Sequence, residues 1–213
     1  MIWHDVEQNT PEWNSLRVGR ITSSPLSKVM ANFGRAFGEP AKKYAAELAL
    51  GQITGKVSSG GYTNGHMDRG HEEEPLAREA YEDRYMTVVT NGGFYATEDT
   101  GSSPDGLCGD DGMVEIKSAI IPIHYARIAK QSFDAAYKWQ LSSALLFSGR
   151  DWIDFISYCA DFPEGKQIYV YRCQREDFTT EFEQIGIRLD EFRALIQSAK
   201  DVILNNDYSI VGI

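Results

Sequence analysis

Residues 103–118 read SPDGLCGDDGMVEIKS, and this run constrains the fold more than any other. Gly109-Asp110-Asp111-Gly112 is a turn signal between two short β-leaning segments, so the run predicts a hairpin. On that hairpin Asp105 ends one strand, and Glu115 and Lys117 lie on the next. Strand side chains alternate, so Glu115 and Lys117 share a face while Ile116 turns into the core. Asp105 can then sit beside Glu115 where the strands pair. Two carboxylates that close repel each other unless a cation neutralises them. Oxygen donors suit Mg²⁺ or Mn²⁺ better than zinc. A lysine beside such an ion can orient a water and help neutralise charge during attack on a phosphodiester. By spacing alone, the same residues fit equally well an exposed hairpin with a surface ion pair worth about 0–1 kcal/mol.

The rest of the chain supplies the surroundings of this hairpin. Thr22-Ser23-Ser24 before Pro25 reads as an N-cap and first-turn proline, so a short helix is expected from about Ser24. EPAKKYAAELAL at 39–50 and RGHEEEPLAREAYEDRY at 69–85 are rich in helix formers. Between them, GKVSSGGYTNGH at 55–66 reads as a loop. Short β-leaning segments follow at 87–98, 101–107 and 113–118. A helix is expected at 134–148, strands at 151–160 and 167–173, and a final helix from about 177 to 204. In that last segment Ile185, Leu189, Phe192 and Ile196 step by four and three, the mark of an amphipathic helix on a core. Nothing in the pattern assigns an element to 119–133. The order predicts one α/β (α+β) domain over 1–213, with a mixed central β-sheet flanked by helices. Its parts are a helical N-terminal portion (about 1–85), a sheet core (about 86–175) and a C-terminal helix (about 177–205).

Composition enters as a set of exclusions. Hydrophobic residues make up 42% and charged residues 24%, which excludes wholesale disorder. No run is long and apolar enough for a membrane span, and the first residues lack the pattern of a secretory signal, so a soluble cytoplasmic protein is expected. Three cysteines, Cys108, Cys159 and Cys173, lie far apart, which excludes a disulfide scaffold and argues against a four-cysteine cluster. With 21 Lys and Arg against 31 Asp and Glu, the net charge is −10. That balance argues against nucleic-acid binding by bulk charge. It leaves room for an enzyme that confines its positive charge to one groove.

Four blocks, taken together, go further. Trp13 precedes LRVGRITSS at 16–24; Gly70 and Glu74 frame RGHEEEP; Ser103–Gly106 precedes Glu115-Ile116-Lys117; and Tyr137 and Gln140 stand in YKWQ. In this order they resemble the lambda exonuclease family of viral recombination nucleases, the YqaJ-like group of PD-(D/E)xK nucleases. The resemblance implies a restriction-endonuclease-like core. It implies that Asp105 and Glu115 bind metal, that Glu74 is a third acidic contributor, that Lys117 is the catalytic lysine and that Gln140 holds substrate or water. In the N-terminal block it implies a pocket for a 5′-phosphate, with Arg17 and Ser24. Arg35 is the nearest match to a second arginine, reached by a one-residue shift, with Arg20 as a competitor. Met67 falls where relatives carry an aliphatic wedge between strands.

The activity so implied is Mg²⁺-dependent 5′-to-3′ degradation of linear double-stranded DNA to mononucleotides, leaving a 3′ overhang, with Mn²⁺ able to substitute. The resemblance also implies a homotrimeric ring, a single-strand annealing protein as partner, and a phage or prophage origin in a bacterial cell. The alternatives are a restriction- or resolvase-type endonuclease, and a non-catalytic protein that binds DNA ends. Read on their own, the individual residues are blander. Glutamates at 72–74 suit a helix start, Gln140 suits a partly exposed helix face, and Arg17 and Ser24 are an arginine and a capped helix. His66 and His71 read as surface residues, His4 and His124 have no visible partner, and Cys108 reads as a small buried filler.

Overall fold

The computed structural model describes residues 1–56 and 65–205. The chain opens with β1 (Ile2–His4), α1 (Pro11–Arg17), β2 (Ile21–Thr22), α2 (Leu26–Met30), α3 (Glu39–Thr54) and α4 (Gly65–Tyr85). Four strands follow: β3 (Phe94–Ala96), β4 (Thr100–Ser102), β5 (Gly106–Cys108) and β6 (Gly112–Ser118). Then come α5 (Ile121–Lys130), α6 (Lys138–Ser148), β7 (Trp152–Tyr158), β8 (Ile168–Gln174) and α7 (Thr179–Leu204). The loop expected at 55–66 falls largely outside the described residues.

Local chemistry accounts for most boundaries. Thr10 caps α1 by accepting from Trp13 N–H, with Pro11 in the first turn. α3 has Pro40 in its first turn and stops at Gly55, whose φ of +65° suits a residue without Cβ. A 3-10 turn over Arg175–Phe178, closed by a reciprocal cap between Gln174 and Asp177, leads into α7. The expected stripe of α7, Ile185, Leu189, Phe192 and Ile196, is buried against Ala41, Tyr44, Ala45 and Leu48 of α3. Arg188 of α7 is also buried and donates to the carbonyls of Val29, Ala31 and Arg35, which fastens the end of α2 to the C-terminal helix. Among the described residues no helix is long and apolar enough to cross a membrane.

The expected mixed β-structure flanked by helices is present, divided into two four-stranded sheets ordered β1-β3-β4-β2 and β5-β6-β7-β8. The break falls between β4 and β5, at Ser103–Asp105. There the backbone runs so close to Gly92 that a Cβ on Gly92 would sit 1.8 Å from the Pro104 carbonyl. In the second sheet β6 pairs parallel with β7, and β5 and β8 flank them antiparallel. The connection from β6 to β7 contains α5, an element the sequence pattern did not show. Its polarity is inverted: His124 and Arg127 are buried while Ile121, Ile123 and Tyr125 are exposed. His124 has a partner after all, since its Nδ1 lies 2.9 Å from Ser157 Oγ. The short helix near Ser24 is displaced by two residues: α2 starts at Leu26, its N-cap is Pro25, and no side chain caps it. The expectation that Ser24 caps a helix is therefore corrected. Pro25 takes the cap position with φ −85° and ψ 4°.

Candidate active site

β5 and β6 form the expected hairpin, with Gly106 opposite Val114, which places Asp105 opposite Glu115. Asp105 precedes β5 rather than ending a strand. Its N–H donates to the Val114 carbonyl at 3.0 Å, and its Oδ2 accepts from Ile116 N–H at 2.6 Å. One carboxylate oxygen is thus spent on the neighbouring strand, and Oδ1 remains for a ligand. The backbone around it is held from two further sides. Arg78 Nη2 donates to the Asp105 carbonyl at 2.6 Å, and Gln8 Nε2 to the Pro104 carbonyl at 2.8 Å.

Glu115 is 3% exposed, yet it is ringed by donors. Its Oε1 accepts from Gln140 Nε2 at 2.5 Å and from the ammonium of Lys117. Burial and the nearby Asp105 charge push the Glu115 carboxyl up to about 7, against the pull of Lys117. For Lys117, burial works against the charge, but Glu115 and Asp105 outweigh it and hold the ammonium above the ordinary lysine value. The Lys117 Nζ lies 5.4 Å from the ring centre of Tyr137, in the 3-10 turn just before α6. The block containing Tyr137 and Gln140 therefore delivers one residue to Lys117 and the other to Glu115. Arg127 also lies 5.6 Å from the Tyr137 ring and donates to Ser157 Oγ, opposite Lys117 in the β6–β7 register.

α4 supplies the third carboxylate, and the geometry sorts its glutamates. Glu73 accepts from Ser118 Oγ, which also accepts from Arg69 Nε at 3.0 Å. Glu74 instead lies 3.6 Å from Arg78 and lines a cleft of about 580 Å³ with Asp105, and its charge acts on Glu115. Farther along α4, the Tyr81 hydroxyl donates to Asp154 at 2.7 Å, and Arg172 grips the same carboxylate with two hydrogen bonds of 2.7 and 2.8 Å. That cluster, centred on the buried Asp154, ties α4 to the sheet behind the site.

Arg17 belongs to a second concavity, of about 650 Å³, whose wall also includes Ser24, Thr22, Lys28 and Tyr44. The Arg17 guanidinium lies 4.1 Å from the Trp13 ring centre and donates to Thr22 Oγ at 3.5 Å. Among the described residues it pairs with no carboxylate, and burial pulls its pKa below the usual arginine value. Arg20 touches this wall, but its guanidinium donates to the carbonyls of Thr97 and Leu16. Arg35 is not brought to the wall. The chain turns after α2 at Asn32, with φ +58°, and leaves the Arg35 side chain exposed while its carbonyl accepts from Arg188. The Met67 side chain lies outside the described residues. Trp13 spans the two regions, since its Nε1 donates at 2.8 Å to Oγ of Ser103, two residues before Asp105.

With this geometry in place, likeness to known proteins becomes informative. Residues 12–151 match the model of the YqaJ-like viral recombinase domain. The chain belongs to the YqaJ-like viral recombinase family. An alkaline exonuclease from Laribacter hongkongensis, LHK-Exo, is 31% identical, with 92% of this chain and 98% of that chain covered and a TM-score of 0.76. Its structure in complex with dAMP superimposes equally well. A phage-related exonuclease from Haemophilus somnus 129PT shares the fold at 16% identity, with 91% and 98% of the chains covered and a TM-score of 0.63. No curated protein sequence is significantly similar.

For a YqaJ-like domain the donor set suits a hard divalent ion. Asp105 Oδ1, the buried Glu115 carboxylate and Glu74 are all oxygen donors. The Glu115 carboxyl is raised by burial first and by the Asp105 charge second, and a bound cation would offset both. Among the described residues no three acidic, histidine or cysteine side chains close into a cage of their own. An ion held by two carboxylates that keeps several waters is what Mg²⁺ prefers. Tyr137, Arg78 and Arg127 were not singled out in the sequence as members of this site. Tyr137 stood beside Gln140 in a quoted block, whereas Arg78 and Arg127 look like ordinary helix residues until the fold is seen.

Proposed function

We propose that this protein is a Mg²⁺-dependent exonuclease that degrades linear double-stranded DNA from its 5′ ends, releases mononucleotides and leaves a 3′ overhang for strand annealing. The observation that carries the reading is the opposed pair Asp105 and Glu115, with Lys117 and Gln140 both donating to Glu115 Oε1. Lys117, held as an ammonium, can orient a water and offset negative charge developing on the phosphate. Gln140 fixes the Glu115 rotamer and can pass its second amide hydrogen to water or substrate. Glu74 shares a cleft with Asp105 from α4 and can hold a water of the ion's shell. A bound Mg²⁺ would polarise the phosphate and lower the pKa of water. Arg17 and Ser24 would seat the terminal 5′-phosphate, which sets the register of each cut. The dAMP complex of LHK-Exo, a nucleoside monophosphate on a relative, accords with mononucleotide release.

A homotrimer around the duplex would reconcile the net charge of −10 with DNA, because an acidic exterior can surround a locally basic bore. A cytoplasmic protein of phage or prophage type, working with a single-strand annealing protein, completes the reading. The test is digestion of linear and closed circular duplex with Mg²⁺ or EDTA, with 5′ and 3′ labels in parallel. Early release of 5′ label as mononucleotide with circles intact is the expected result. Cut circles would make the protein an endonuclease; absence of cleavage with Mg²⁺ and Mn²⁺ would make it a DNA-end-binding protein.

A further inference from the structure

The concavity beside Arg17 carries more hydrogen-bond donors than the resemblance names. We infer that the Tyr44 hydroxyl and the Lys28 ammonium, and not Arg35, complete the grip on a terminal 5′-phosphate. This rests on the proposed role of that pocket and names further residues for it. Tyr44 is 7% exposed, and its hydroxyl oxygen accepts from Thr22 N–H at 3.0 Å. An oxygen occupied as an acceptor leaves its O–H hydrogen as the group it can offer, and Tyr44 lines the cavity. Burial raises the Tyr44 pKa, so the phenol keeps that hydrogen at neutral pH.

Lys28 sits on α2 with its Nζ 5.8 Å from the Tyr44 ring centre, on the same wall. Among the described residues the wall holds four cationic side chains, Arg17, Arg20, Lys28 and Lys56, against one carboxylate, Glu47. In a chain with ten more acidic than basic residues, that local excess marks an anion site. Arg20 is occupied by backbone carbonyls and Arg35 lies off the wall. Lys28, held over the Tyr44 ring, is therefore a cation that can join Arg17 without rearrangement. A phosphate monoester there would meet a half-buried guanidinium, a buried phenol and an exposed ammonium. That set rewards a terminal dianion over an internal diester.

The experiment measures binding of one blunt duplex with a 5′-phosphate or a 5′-hydroxyl end, by fluorescence anisotropy in EDTA. The full-length wild type is compared with Tyr44→Phe, Lys28→Ala and Arg35→Ala. The expected result is a fall of about tenfold in the phosphate-to-hydroxyl affinity ratio for Tyr44→Phe and for Lys28→Ala, the loss for one charge-assisted hydrogen bond, with the wild-type ratio in Arg35→Ala. A merely structural tyrosine would weaken both duplexes alike and leave the ratio in place, which overturns the inference. So does a ratio lost in Arg35→Ala and kept in the other two. If the wild type itself binds both ends equally, the phosphate reading of the pocket falls and takes this inference with it. If the wild type discriminates and Tyr44→Phe and Lys28→Ala discriminate as well as it does, the pocket stands and this inference alone falls.

Discussion

The hairpin site and the Arg17 cavity are built on opposite plans. Around Glu115 the protein gathers carboxylates, buries Glu115 itself and satisfies one of its oxygens twice over, through Lys117 and Gln140. Around Arg17 it gathers donors and leaves the guanidinium with a stacking ring and one long hydrogen bond to Thr22. The first site presents carboxylate oxygens that a cation can take up, and the second presents donors that an anion can take up. A metal ion and a phosphate would fill those two roles, and a DNA end presented with Mg²⁺ supplies both. The contrast shows how a chain of net charge −10 can engage DNA. On the proposed function, attraction would be concentrated where a strand terminus sits, so recognition would favour ends over the length of the duplex.

The largest expected effect separates chemistry from end recognition. Lys117→Ala should lower the hydrolysis rate by about a thousandfold, as loss of a group that stabilises the transition state does. Its ratio of affinities for phosphorylated and unphosphorylated ends in EDTA should stay at the wild-type value, and a change in that ratio would mean the two regions are one site. Next, Arg17→Ala should cut the preference for 5′-phosphorylated ends by about a hundredfold, the scale of a lost bidentate contact, read as a ratio of initial rates. Gln140→Ala should slow turnover about tenfold on both kinds of end, because it acts on Glu115 and not on the phosphate.

The smallest effect concerns stability. Because the Glu115 carboxyl is raised from about 4.5 to about 7, its contribution is fully present below the lower value and is lost as pH rises through the upper one. The melting temperature of EDTA-treated protein should therefore fall more between those pH values in the wild type than in Glu115→Gln. Equal slopes would show that the buried carboxyl does not titrate there.

What could be read in the sequence differs by region for physical reasons. The hairpin was legible because turn chemistry and two-residue alternation are local rules, and they place Asp105 against Glu115 without knowledge of the remaining fold. α7 was legible because its apolar residues do face the core. α5 was not, since it buries His124 and Arg127 and exposes isoleucines, the reverse of the usual signal. Glu73 and Glu74 are indistinguishable in the string EEEP. Only the position of Ser118 and Arg78 around α4 tells them apart. Ser24 misled because a serine before a proline is a sound cap signal, and here the helix starts later. Tyr44 and Lys28 carried no signal at all. An Ala- and Leu-rich helix gives no hint that one of its tyrosines lines a cavity.

The turn at Gly109–Gly112 has an evolutionary consequence. In an antiparallel pair, residues equidistant from the turn stay opposite each other however long the loop between them becomes. Asp105 and Glu115 meet because of the ladder below the turn, where Gly106 faces Val114 and the Asp105 N–H reaches the Val114 carbonyl. Residues added at the tip would lengthen the loop and leave the carboxylates in place. A single residue added within β5 or β6 would turn one of them to the far face. The number of residues separating the two acids is therefore a record of the tip's history, and descendants of this domain are free to vary it while keeping the same chemistry.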